Sequence, residues 1–143
     1  MDTKKYLIAV IVVFVVYSGL GYVIHELVLG VDYEPLVGSV LRSVEDFSKR
    51  MLFLYLGNLV FALGFCLVYV KGYEPGKHWF GQGVRFGLIL GTLLAPAALT
   101  TYVIYPVPGT LALKWIALGY VHILISGLVV AGIYQTPPPP KSL

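Results

Sequence analysis

The chain has 143 residues, 58% of them hydrophobic and 12% charged, with a formal net charge of +3 and a mean hydropathy of +0.85. That composition excludes an ordinary soluble domain and points to a membrane protein whose first partner is the lipid bilayer. Its ten Lys and Arg are scattered over termini and loops, with no basic stripe to track a phosphate backbone, so nucleic acid is excluded as a partner.

A crossing helix needs about 20 mostly apolar residues, and in chain order the sequence predicts four, over 6–30, 51–70, 83–105 and 111–134. The expected fold is an all-α, four-transmembrane-helix bundle, a single membrane domain over 1–143 that is multi-pass in the cell membrane. Lys4 and Lys5 precede the first span as in a signal peptide, but the apolar run is too long and lacks a small-residue cleavage site, so it reads as a retained anchor. The far end of this span, "GYVIHELVLG" at 21–30, carries His25 and Glu26 side by side.

In the first loop Leu36, Val40, Val44 and Phe47 recur at helical spacing, opposite Arg42, Glu45, Asp46 and Lys49. This predicts a short amphipathic segment, read either as a helix lying on the outer surface of the bilayer or as an N-terminal extension of the second span. "YEP" at 33–35 and 73–75 and "YP" at 105–106 close the first three spans, since Tyr suits the interface and Pro cannot continue a helix. Their flanks do not align, so they are independent stops and not a duplication.

The second span holds Cys66, the only cysteine, read as a small packing residue. In the third span Gly83, Gly87, Gly91 and Ala95 recur every four residues and form a groove for a neighbouring helix, in this chain or in another subunit. "GQGVRFG" at 81–87 lacks the preceding strand and the spacing of a phosphate loop. Trp79, Phe80 and Arg85 mark an interface, and Pro96 leaves the Thr92 carbonyl without its helical partner and predicts a kink, of a kind that can open a cavity. Gly127 and Ala131 form a shorter small-residue pair on the fourth span, and the Pro-rich tail over 135–143 reads as extended polyproline. Lys4, Lys5, Lys71, Lys77, Arg85 and Lys141 on one side outnumber Arg42, Lys49, Arg50 and Lys114 on the other, which orients both termini to the cytoplasm.

At ~1.5 Å of rise per residue, His25 lies about 10 Å inward from the outer boundary, Asn58 and His122 about 12 Å, and Thr100 about 8 Å. The spacing puts Ser18, Gly21, Tyr22 and His25 on one face of the first span with Glu26 at its margin, and Trp115, Gly119, His122 and Ser126 on one face of the fourth. Two readings follow. In one, these are satisfied interior polar groups, with Glu26 near the outer interface and neutral or paired to Arg50, Lys49 or Lys114, and the chain is a non-catalytic accessory subunit that packs through its glycine row against other membrane subunits or itself. In the other, His25, Glu26, Asn58, His122, Ser126 and Tyr22 line a site for a haem, quinone or lipid-like ligand, His25 and His122 being the candidate metal ligands. No nucleophile has an evident base, so acyl-transfer chemistry has no candidate.

Overall fold

Long apolar stretches leave the backbone no polar partner but itself, and helix is the result. The computed structural model describes residues 2–135, apart from the side chain of Ala95. The fourth member of the expected glycine row and the Pro-rich tail beyond Gln135 therefore lie outside the described residues. Helix α1, Thr3–Tyr22, runs on into a π-helical turn, Val23–Val28. Short helices α2, Gly30–Tyr33, and α3, Val44–Ser48, fill the first loop, followed by α4, Met51–Lys71, α5, Trp79–Ile104, and α6, Gly109–Ile133. Among the described residues four helices are long and apolar enough to cross a membrane: Thr3–Val28, Met51–Lys71, Trp79–Ile104 and Gly109–Ile133.

Local chemistry punctuates these helices. The Asp2 carboxylate accepts from the Lys5 amide at 3.1 Å to cap α1, and His78 Nδ1 accepts from the Phe80 amide at 3.3 Å to cap α5. Helix α5 ends where Tyr105, preceding Pro106, turns extended. Between α4 and α5, Gly76 adopts φ +84°, a left-handed conformation that favours glycine. The buried Gln82 side chain then fastens that turn, accepting from the Glu74 amide at 2.8 Å and donating to the Lys77 carbonyl at 3.0 Å.

The first loop departs from the expected continuous amphipathic helix. Pro35, and Gly38 at φ +80°, interrupt it, leaving α2, a 3-10 turn over Glu34–Leu36 and only the five residues of α3. Leu36 and Val40 turn inward onto a small core of Ile24, Leu29, Val107 and Leu111, while Val44 and Phe47 stay exposed. Nor is α3 an extension of the second span, because Arg50 leaves helical geometry between them.

Helix α4 lies against α1, α1 against α6, and α6 against α5. Phe65 and Tyr69 of α4 reach across to Phe86 of α5, with ring centroids 4.8 Å and 5.2 Å apart, and draw the row together at one end. Both described ends of the chain meet there, where the Asp2 amide donates to the Tyr134 hydroxyl at 3.0 Å. The glycine row of α5 is filled from within the chain: a Cβ on Gly83 would come within 2.9 Å of the Gly127 carbonyl oxygen, and one on Gly87 within 2.8 Å of Leu124 Cα. At Gly91 the intruder is the Tyr120 ring, at 2.6 Å. The row thus lets α6 approach at backbone distance, and it is not a free groove for another subunit.

Candidate functional site

The π-helical turn falls on the segment that carries His25 and Glu26. Its widened hydrogen bonding, with the Leu29 amide donating to the Ile24 carbonyl at 2.9 Å, rotates the residues beyond Tyr22 away from an α-helical register. Ile24 and Leu29 are thereby buried, whereas Tyr22 is 62% exposed and Glu26 points outward. Glu26 makes no ion pair among the described residues. Lys114 instead holds Asp32 at 2.7 Å and 2.8 Å, Lys49 holds Glu45 at 2.7 Å, and Arg50 pairs with Asp46.

His25 Nδ1 and the Tyr33 hydroxyl are 2.7 Å apart, and Trp115 Nε1–H donates to the same hydroxyl at 2.7 Å. The indole occupies one lone pair of the phenol oxygen, and the phenol proton remains available for His25 Nδ1. In that arrangement His25 carries its own proton on Nε2, as a donor. Burial is the main influence holding the Tyr33 phenol above its ordinary pKa, opposed by the Trp115 hydrogen bond, so the hydroxyl is protonated at neutral pH.

His122 is only 7% exposed. Its ring stacks on Tyr17, with centroids 4.0 Å apart, and its Nε2 lies 2.9 Å from the Tyr17 carbonyl oxygen. A carbonyl only accepts, so Nε2 carries the proton and Nδ1 keeps a lone pair. Gly21 makes room for this ring: a Cβ there would lie 3.7 Å from His122 Cε1.

These groups converge. His25, Tyr33, Thr101, Trp115 and His122 line one cleft of about 300 Å³, completed by apolar side chains including Ile24, Ala97 and Leu118. On α5 it is lined by Ala97, Ala98 and Thr101, directly after Pro96. The cleft is lined by two imidazoles, each held by one ring nitrogen: His25 through Nδ1 and His122 through Nε2. That is also how histidines are oriented for metal binding, although no group of three or more potential metal-ligating side chains forms among the described residues.

No family model, curated protein or solved structure matches this chain. The remaining candidates stand apart from the cleft. Asn58 donates to Ser18 at 3.1 Å in the α1–α4 contact. The Ser126 hydroxyl is closed on the His122 carbonyl at 2.9 Å, and the exposed Thr100 hydroxyl on that of Pro96 at 3.1 Å. The expected polar layer therefore divides into a histidine cleft and a separate Asn58–Ser18 pair. Tyr33 and Thr101 are the cleft residues that sequence reasoning missed. Tyr33 sits in a "YEP" that reads as a stop signal, and nothing in its spacing announces contact with Trp115, 82 positions away.

Proposed function

We propose that this chain is a four-span protein of the cell membrane, with cytoplasmic termini, that binds the polar head of a bilayer-borne amphiphile of the quinone class in the cleft between the π-turn of α1, α5 and α6. The observation that carries this reading is the convergence of two imidazoles, each fixed by one ring nitrogen, on one small cleft beside Trp115, with the His25 Nε2–H serving as donor and the His122 Nδ1 as acceptor. A quinone carbonyl accepts from His25 Nε2–H, and in the reduced form a ring hydroxyl donates to His122 Nδ1. The apolar wall takes the ring face, in keeping with pockets that are mostly apolar with a few placed polar groups. The accessory-subunit reading has less support, because α6 occupies the glycine row through which such a subunit would pack.

The test is purification in mild detergent, followed by an absorbance spectrum, mass spectrometry of the organic extract, and titration with a short-chain benzoquinone while Trp115 emission is followed in a Trp79→Phe background. Saturable quenching that weakens in His122→Leu and Tyr33→Phe supports the proposal. A Soret band lost on His122→Leu replaces the quinone with haem. Unquenched emission together with an extract free of retained amphiphile refutes both.

A further inference from the structure

A second cleft, of about 340 Å³, lies between α4 and α5 at the opposite end of the bundle, where the described ends of the chain meet. It is independent of the histidine cleft. Its apolar walls are Val68, Phe86, Ile89 and Leu90, and its polar side chains are Tyr69, Gln82 and Arg85. Gln82 is bonded through both its oxygen and its nitrogen to the 72–78 turn. Tyr69 is only 3% exposed, and its hydroxyl is buried with no hydrogen-bond partner among the described residues. An orphaned hydroxyl of this kind costs free energy unless something accepts from it.

Charge identifies the acceptor. Arg85 and Lys77 both pair with the single carboxylate of Glu74, which leaves a net positive charge at the mouth of the cleft. Lys4, Lys5 and Lys71 lie at the same end of the bundle, where Asp2 and Glu74 are the acids. The other end is the reverse: Glu26, Asp32, Glu34, Glu45 and Asp46 there outnumber Arg42, Lys49, Arg50 and Lys114. An apolar slot with a cationic mouth and an unused donor in its wall matches one chemistry.

We propose that the α4–α5 cleft binds an anionic phospholipid, a phosphate oxygen accepting from the Arg85 guanidinium and the Tyr69 hydroxyl while an acyl chain lies along Phe86, Ile89 and Leu90. Basic residues near the ends of spans commonly recognise anionic headgroups in this way.

The test uses the full chain in a maltoside detergent, washed until its phosphorus content is constant. Phosphatidylglycerol, phosphatidylcholine or inorganic phosphate is then added back, with native mass spectrometry and the thermal midpoint as readouts. Phosphatidylglycerol is expected to bind one-to-one and raise the midpoint, with phosphatidylcholine and inorganic phosphate ineffective. Tyr69→Phe keeps the ring packing and requires roughly tenfold more phosphatidylglycerol for half effect, while being no less stable than wild type without lipid. Arg85→Gln shifts the same titration in the same direction. Equal phosphatidylglycerol titrations for wild type and Tyr69→Phe overturn the site, as does phosphatidylcholine matching phosphatidylglycerol. Saturation by inorganic phosphate alone overturns the lipid as its occupant.

Discussion

Replacing Gly87 by Ala adds one methyl group where α5 and α6 touch backbone to backbone. The new Cβ would lie 2.8 Å from Leu124 Cα and 3.1 Å from Leu124 Cδ1. The side-chain carbon can swing aside, but the Cα cannot move without its helix. Carbon pairs rest at about 3.5–4.0 Å, so the helices must part by about 0.7 Å, a gap that forfeits a quarter to a half of each dispersion contact along the interface. Overpacking of this kind costs on the order of 1–3 kcal/mol. Gly64→Ala on α4 is the matched control, because a Cβ there meets nothing within 4 Å and helix propensity favours Ala by up to about 1 kcal/mol. Unfolding in dodecyl sulfate, followed by circular dichroism and by the emission of Trp79, which lies beside Gly132 of α6, should place Gly87→Ala below wild type and Gly64→Ala at or above it. A Gly87→Ala variant as stable as Gly64→Ala would refute the argument that the row serves the α5–α6 contact.

Hydrogen bonds from Lys77 and Arg85 hold the Glu74 carboxyl below the ordinary carboxylate range. A depressed folded-state pKa gives stability that is full above the unfolded value and is lost as pH falls through the folded one. The gap in thermal midpoint between wild type and Glu74→Gln should therefore be constant near neutrality and close on acidification below about pH 4. Gly76→Ala forces a Cβ into the left-handed region and should cost about 1–2 kcal/mol, measured by the same sulfate titration. Asn58→Leu removes one interhelical hydrogen bond to Ser18, worth about 0.6 kcal/mol in comparable membrane bundles. It should leave quinone titrations of the histidine cleft unchanged, and a large loss of ligand response would reunite the two polar groups that the structure separates.

The four long helices were legible because lipid-length apolar runs admit one backbone solution, and Pro and Tyr marked their ends. The face of α6 was legible for the same reason, since an unbroken 3.6-residue period carries Trp115, His122 and Ser126 inward together. On α1 the same arithmetic failed at Tyr22, which is exposed at the end of the α-helix, and again beyond it, where the π-turn changes the period and Glu26 is exposed. Helical spacing also hid the first loop, because Gly38 at φ +80° breaks a pattern that looks continuous in hydropathy. The destination of the glycine row could not be read, as a small-residue stripe accepts any backbone of the right curvature. Only the matching Gly127 on α6 names its partner, and that is a relation between positions 40 or more apart.

The order of the row, α4 beside α1 and α5 beside α6, makes the molecule two consecutive hairpins joined chiefly along α1 and α6. Each hairpin finds its mate within neighbouring sequence, a short search, whereas the joint between them closes a loop of about a hundred residues, His122 to Tyr17 being 105 positions apart. The Tyr17 carbonyl, already part of the α1 ladder, gains the His122 imidazole as a second partner only when the last helix has been made. That imidazole thus clasps the two hairpins as well as walling the cleft, so the cleft comes into being only when α6 has been made.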